Sequence, residues 1–200
     1  MSHGAVSIIK KWFPVLLWLG MGVSPSPAAW IGVFGSHWDS KDAGKTFGGG
    51  VLFRQNLNPN WQWDIRGSLY SFDTQEGDAV IDLEIIPLEA TLTMKVIKDP
   101  AYMFYAGGGA GYYLVDADIT LSGVKERARA DDTIGYFILA GLLYRMQYNI
   151  TLFGELKYIR LELDQPAVRG NPTAPSDDNI IAGEMNMNGL IGNVGLLIRF

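Results

Sequence analysis

Four side chains that could supply a nucleophile and a base lie together early in the chain: Ser36, His37, Asp39 and Ser40. Hydrolytic sites on several unrelated folds combine a serine, a histidine and an acid in this way. However, Ser36 and His37 are adjacent in a segment that alternates like a β-strand, and consecutive strand residues point to opposite faces. The simpler interpretation of His37 is a polar residue near a strand end, and we predict no catalytic residue here.

Two glycine motifs have a partial likeness to nucleotide-binding loops. The segment Gly44-Lys45-Thr46 ends like a phosphate loop, but Asp39 stands where that loop needs glycine, and no helix pattern follows. The glycine triplets at 48–50 and 107–109 also lack the helix of a dinucleotide site. We therefore expect a turn into a strand at the first motif, small residues facing a crowded interior at the triplets, and no cofactor or metal.

Composition narrows the class of protein. The length of 200 residues suits one domain, the net charge of −5 offers no basic face for nucleic acid, and cysteine is absent. Beyond the N-terminal segment, no apolar run is long enough for a membrane-spanning helix. The mean hydropathy of +0.09 still allows a membrane β-barrel, because its strands alternate between apolar and polar residues.

Residues 1–28 have the order of a secretory signal peptide. A lysine pair ending at Lys11 precedes an apolar stretch up to Val23, and a small-residue region from Ser24 to Ala29 follows. We predict cleavage after Ala28, which leaves 29–200 as the β-barrel domain. The alternative is an N-terminal anchor helix.

The rest of the chain has the pattern of eight strands separated by turn residues. We place the strands at 30–38, 46–55, 61–72, 79–96, 101–116, 133–146, 150–163 and 183–200. Tight turns follow the second, fourth and sixth strands, whereas the other connections are longer polar loops, the longest at 117–132 and 164–182. Short turns at one end and long loops at the other are typical of outer-membrane barrels.

Each strand has an apolar and a polar face, which predicts an all-β fold: an eight-stranded antiparallel up-and-down transmembrane β-barrel. In the third strand, for example, Asp64 and Arg66 alternate with Trp63 and Ile65. A charge facing lipid at mid-membrane costs about 2–4 kcal/mol, so the polar face belongs in the lumen. The charged residues predicted to form a lumen polar network are Arg54, Asp64, Arg66, Glu89, Lys95, Arg145, Glu155, Lys157 and Arg199.

Aromatic residues gather at the strand ends nearest the tight turns, as they do at a membrane interface. They are Phe53, Trp61, Trp63, Tyr102, Phe104, Tyr144 and Phe200. A soluble barrel with an apolar interior, such as a lipocalin, has no reason for this band. The alternation is interrupted near Pro87, where we predict a β-bulge because proline cannot donate to the ladder.

The lumen charges have two interpretations, an ion path or a plug of paired side chains. An eight-stranded barrel has an interior only just wide enough for its own side chains. We therefore favour the plug.

These features together resemble the small outer-membrane β-barrel family that includes the OmpA, OmpX/Ail and OmpW types. The resemblance rests on the glycine-rich run from Pro100 to Tyr113, on the segment from Gly135 to Tyr158, and on the last strand. In that strand apolar residues occupy alternate positions, namely Val194, Leu196, Ile198 and Phe200. In the family this pattern is the recognition signal for the barrel-assembly machinery, which the resemblance thus implies as a partner.

The resemblance also implies a location in the bacterial outer membrane, in contact with lipid and lipopolysaccharide, and it leaves three functions open. The first, which we favour, is a non-enzymatic barrel that stabilises the envelope or presents its loops to an extracellular partner. The second is a narrow pore or apolar-solute conduit of the OmpW type. The third is a lipid A-modifying enzyme centred on His37, although the His-x-Ser pattern of the family's deacylases is missing.

Overall fold

The computed structural model describes residues 29–76, 79–121, 124–129, 132–164 and 184–200. The predicted signal peptide and most of the last long connection lie outside these ranges. Within them, no helix is both long and apolar enough to cross a membrane.

The described chain forms antiparallel strands. In chain order these are β1 (Ala29–Ser40), β2 (Gly44–Asn56), β3 (Trp61–Glu76), β4 (Ala79–Lys98), β5 (Tyr102–Leu121), β6 (Val124–Arg129), β7 (Thr133–Arg145), β8 (Ile150–Arg160), β9 (Glu162–Asp164), β10 (Glu184–Asn186) and β11 (Gly189–Arg199). Eight of them close a ring in the order β4, β3, β2, β1, β11, β8, β7, β5, with β5 pairing back to β4. The predicted eight-stranded up-and-down barrel is confirmed.

One end of the barrel, here called the short-turn end, holds three tight turns. They lie between β2 and β3, between β4 and β5, and between β7 and β8, as predicted. The first and last described residues meet at the same end, where the Phe200 amide donates to the Ala29 carbonyl at 3.2 Å. An even number of strands makes this meeting necessary.

The opposite end, here called the extended end, differs from the prediction of long polar loops. Between β1 and β2 only residues 41–43 form the turn; Ser40 Oγ accepts the Ala43 amide at 3.1 Å, and Gly44 adopts φ 78°. The predicted loop at 117–132 contains the end of β5 and the whole of β6, which pair from Asp116–Arg129 to Leu121–Val124. Polar sequence was mistaken for loop here, since the charged segment that forms β6 pairs along its length with β5.

The outer surface of the ring is a belt of exposed apolar side chains, including Val33, Val51, Leu92, Ile138 and Leu156. Burial alternates residue by residue along β1, β7 and β8. The belt is therefore the outward half of an unbroken two-residue period, as the sequence predicted.

The β-bulge predicted at Pro87 is wrong. The register of β3 and β4 is the same on both sides of it, since Gly67 pairs with Leu88 and Tyr70 pairs with Ile85. The register shift lies instead between Lys95 and Ile97, in the pairing with β5. What changes near Pro87 is the chemistry of the interior, which becomes apolar toward the extended end, and not the phase of the strand.

The predicted aromatic band lies on the outer face at the short-turn end. Phe53 packs against Trp63 and Phe200, with ring centroids 5.6 and 6.5 Å apart, and Tyr102 packs edge-on against Phe104 at 5.9 Å. Sequence reasoning missed a second set of exposed aromatic residues near the extended end. Its members are Phe47, Tyr112, Tyr136 and Tyr158.

Candidate functional site

Six of the nine charged residues predicted for the lumen are buried there. They come from four strands: Arg54 from β2, Asp64 and Arg66 from β3, Glu89 from β4, and Glu155 and Lys157 from β8. Each occupies an inward position because the neighbouring residues in its strand face the apolar outer belt.

Asp64 lies between two arginines. Its Oδ2 accepts Arg54 Nη2 at 2.9 Å and Arg54 Nε at 3.2 Å, while its Oδ1 accepts Arg66 Nη2 at 2.7 Å and Arg66 Nε at 2.9 Å. Arg66 also donates across the lumen to Glu155, with Nη1 2.5 Å from Oε1. The forked guanidinium of Arg66 therefore ties two carboxylates together, a geometry that lysine cannot reproduce.

A second ion pair connects β4 and β8, which are not neighbours in the ring. Lys157 Nζ donates to both carboxylate oxygens of Glu89, at 2.6 and 2.8 Å, and the Tyr113 hydroxyl donates to Glu89 Oε1 at 2.6 Å. The same ammonium group lies 4.8 Å from the ring centroid of Phe137, a cation–π distance.

Neutral side chains extend the first ion group. The Tyr105 hydroxyl donates to Glu155 Oε2 at 3.0 Å, and Asn193 Nδ2 donates to Glu155 Oε1 at 3.1 Å. Ser36 Oγ in turn donates to Asn193 Oδ1 at 2.6 Å and accepts from the Tyr70 hydroxyl at 2.7 Å. We call the ion pairs and these neutral partners the lumen network; its charges balance, with three cations against three carboxylates.

Sequence reasoning missed the tyrosines of this network. A signal for two of them is present in β5, where the inward positions between Tyr105 and Tyr113 are all glycine. A Cβ atom added to Gly109 would lie 2.7 Å from Phe137 Cζ and 2.1 Å from the Ala90 carbonyl oxygen. The glycines thus leave the space that the large inward side chains occupy.

Apolar side chains fill the lumen on the extended-end side of the network. Trp38 is fully buried and meets Tyr70 and Phe72 edge-on, with ring centroids 5.1 and 5.4 Å apart. Further buried residues of this apolar layer are Ile85, Val115, Ile159, Leu161, Met187 and Ile191. The layer lies between the lumen network and the extended end.

The other three predicted lumen residues, Lys95, Arg145 and Arg199, lie at the mouth of the short-turn end. There they line a cavity of about 220 Å³ together with Trp30 and Lys98. Their positions share the inward parity of the network, but they stand at strand ends, so the prediction that they belong to the buried network is corrected.

His37 lies on the outer face, with its ring 4.6 Å from that of Phe47 and its Nδ1 3.1 Å from the Thr46 carbonyl oxygen. Ser36 points into the lumen, so the two side chains lie on opposite sides of the barrel wall. Across the described ranges, no group of three histidine, cysteine or acidic side chains is placed to hold a metal ion. Gly44-Lys45-Thr46 begins β2, as predicted, and no helix follows it.

No protein-family model matches the sequence, and no curated protein matches it. Solved structures do. Neisserial surface protein A is 14% identical, covers 86% of this chain and 97% of its own, and superposes with a TM-score of 0.63. The outer membrane protein OprG from Pseudomonas aeruginosa is 13% identical over 88% and 96%, with a TM-score of 0.66. Ail of Yersinia pestis is 15% identical over 86% and 97%, with a TM-score of 0.51.

At these identities the likeness shows the fold alone. That fold is the small eight-stranded barrel of outer-membrane proteins, so the structural resemblance predicted from the sequence is confirmed. Several subfamilies share this fold, and the likeness does not assign the chain to one of them.

Proposed function

We propose that this chain is a bacterial outer-membrane protein with a non-enzymatic role, whose lumen is closed and whose function resides in the surface at the extended end. The observation that carries the proposal is the lumen itself. A charge-balanced network, in which the cations are paired with carboxylates, lies next to a layer of buried apolar side chains.

The outer surface supports insertion in a lipid bilayer. An apolar belt bordered by aromatic residues at both ends is the surface that a transmembrane barrel presents to lipid. The strands of the ring are 11 to 20 residues long, which exceeds the roughly 9–11 residues that a tilted strand needs to cross. The neighbours in fold are outer-membrane proteins.

The buried charges support a plug over an ion path. Arg54, Arg66 and Lys157 are each at most 2% exposed, and each is bonded to a carboxylate. An ion path needs charges that face water, whereas these have exchanged water for one another. On the extended-end side of these charges, the aromatic rings of Trp38, Tyr70 and Phe72 pack against one another in the lumen.

The extended end is the surface where an interaction role fits. β3, β4 and β5 continue beyond the rest of the ring, and β6 adds a strand to their sheet. The sequence of β6, VKERAR, has mixed charge, which suits lipopolysaccharide head groups or a protein partner. Toward the short-turn end, the exposed outer side chains are Val194, Leu196 and Ile198 of β11 and Phe200, which follows that strand; the barrel-assembly machinery could read them as the assembly signal.

Planar-bilayer recording tests the closed lumen. We expect the wild-type barrel to be silent, because paired charges and buried apolar side chains occupy the part of the lumen that the structure describes. Steady single-channel conductance from the wild-type protein would refute the plug and favour the pore. Glu155→Ala should lower stability, since it removes one of the two carboxylates that bind Arg66; if stability stayed unchanged while conductance opened, the plug would again be wrong. Lys41→Ala, at an exposed turn, is the matched control.

Mass spectrometry of lipid A tests the non-enzymatic role. We expect the same spectrum from cells with and without the protein, because Ser36 and His37 do not share a face. Gain or loss of an acyl chain would refute this part of the proposal, and His37→Ala would then show whether the histidine is responsible.

A further inference from the structure

The cavity at the short-turn end collects positive charge. Four cationic residues line it, Lys95, Lys98, Arg145 and Arg199, together with a single acid, Asp99. We call these four residues the basic mouth. Its composition contrasts with that of the whole chain, which carries a net charge of −5.

The lysines of the basic mouth are held by neutral groups. Lys95 Nζ donates to the side-chain oxygen of Asn56 at 2.6 Å, and Lys98 Nζ donates to that of Asn60. Asp99 is engaged in its own turn, where Oδ1 accepts the Ala101 amide at 2.9 Å. Amide oxygens position an ammonium group without offsetting its charge. The lumen network differs in this respect, because each of its cations meets a carboxylate.

The cavity offers apolar surface beside these charges. Among its lining residues, Trp30, Met103 and Leu143 are buried or partly buried, whereas Tyr102 and Tyr148 are exposed. Tyr102 also belongs to the aromatic band on the outer face, where it packs against Phe104. The cavity therefore borders both the lumen mouth and the belt that faces lipid.

We propose that the basic mouth is a binding site for a phosphate ester, either the headgroup of an anionic phospholipid from the adjoining leaflet or a small soluble phosphorylated molecule. Lysine and arginine are the usual partners of phosphate, and two or more can share its charge-assisted hydrogen bonds. The site lies at the opposite end from the surface in the proposed function and does not depend on a closed lumen.

Native mass spectrometry of the refolded full chain tests the site and distinguishes the two sources. One arm offers dioleoylphosphatidylglycerol and dioleoylphosphatidylcholine in equal amounts, so that only the headgroup charge differs. The other arm offers glycerol 3-phosphate against glycerol. The variant is Lys95→Gln with Arg145→Gln, and its control is Lys41→Gln, an exposed lysine in the turn at the extended end.

We expect retention of the anionic probe in preference to its neutral counterpart in at least one arm. Binding should fall about tenfold in the double variant, as the loss of two partly exposed ionic contacts implies, and should be unchanged in Lys41→Gln. Binding in the lipid arm alone assigns the site to a headgroup, and binding of glycerol 3-phosphate assigns it to a soluble ligand.

Equal retention of charged and neutral probes in both arms would overturn the proposal, as would undiminished binding by the double variant. Should that variant not fold, Lys98→Gln at the exposed end of β4 and a salt titration of the wild type replace it. Raising the salt concentration to about 0.5 M should weaken binding several-fold because it screens exposed charges. Binding that ignores both salt and Lys98→Gln would contradict an electrostatic site.

Discussion

The Lys157–Glu89 pair allows a direct test of how the lumen network contributes to stability. The lysine and glutamate side chains are 2% and 0% exposed, and two short hydrogen bonds join them. Lys157→Met removes the ammonium group that donates to Glu89, and among the described residues the Tyr113 hydroxyl remains as its hydrogen-bond donor. Breaking a buried pair by removing one partner costs about 3–5 kcal/mol, because the remaining charge stays buried. We expect that loss in the free energy of unfolding.

The double variant Glu89→Gln with Lys157→Met separates a pair from two independent side chains. It removes both charges, and the glutamine can still accept from Tyr113. We expect its stability to lie within about 1–2 kcal/mol of the wild type, although Glu89→Gln alone should cost about as much as Lys157→Met alone. The two single costs should therefore be far from additive.

Urea unfolding of the protein in phospholipid vesicles, followed by tryptophan fluorescence, measures these differences; Trp30, Trp38, Trp61 and Trp63 lie in the predicted barrel domain. Lys45→Met is the matched control. It breaks an ion pair with Asp39 at 3.3 Å whose side chains are 67% and 50% exposed, so it should cost no more than about 1 kcal/mol. Single-variant costs as small as that of the control, or costs that simply add in the double variant, would refute the reasoning.

Three further substitutions follow from packing and position. Gly109→Ala places a Cβ atom 2.1 Å from a backbone oxygen and should destabilise by about 1–3 kcal/mol in the same unfolding assay, whereas Gly154→Ala, with nothing within 4 Å, should have little effect; equal costs would contradict the close-packing argument. Trp38→Ala removes the largest fully buried side chain and should cost about 3–5 kcal/mol by urea titration, a value below about 1 kcal/mol being incompatible with a packed apolar layer. Phe200→Ala should lower the amount of folded barrel in cell membranes, seen as the heat-modifiable band on a gel, while refolding of the purified protein in vitro is retained. Phe47→Ala, at the other end and 80% exposed against 70% for Phe200, should assemble normally, and equal yields would remove the assembly role from Phe200.

The sequence predicts whether a side chain faces the lumen or the outside better than it predicts the level of that side chain along the barrel axis. A period of two residues fixes which side chains point inward, so the alternation in β3 correctly placed Asp64 and Arg66 in the lumen. The period carries no information on level along the barrel axis. Arg145 and Arg199 occupy inward-facing positions in the strand pattern, but they lie at strand ends. They therefore line the cavity at the short-turn end and do not lie in the buried network.

The sequence could not predict which side chains pair across the lumen, because that also depends on their level along the barrel axis. Glu89 and Lys157 lie on strands that are not neighbours, and their meeting depends on barrel closure and shear as well as on strand pairing. Polarity also misled the assignment of loops, since the segment that forms β6 is charged but pairs along its length with β5.

The lumen network favours one register of the strands when the ring closes. Arg54 and Asp64 are 10 residues apart, but Lys157 and Glu89 are separated by 68 and Arg66 and Glu155 by 89. A slip of one residue between strands would turn the charges toward lipid, and a slip of two would keep them inside but displace each by about 7 Å. In both cases charged side chains lose their partners, in contact with lipid after the first slip and inside the lumen after the second. The apolar strands could pair in many registers, but the native register places each carboxylate of the network beside a cationic side chain.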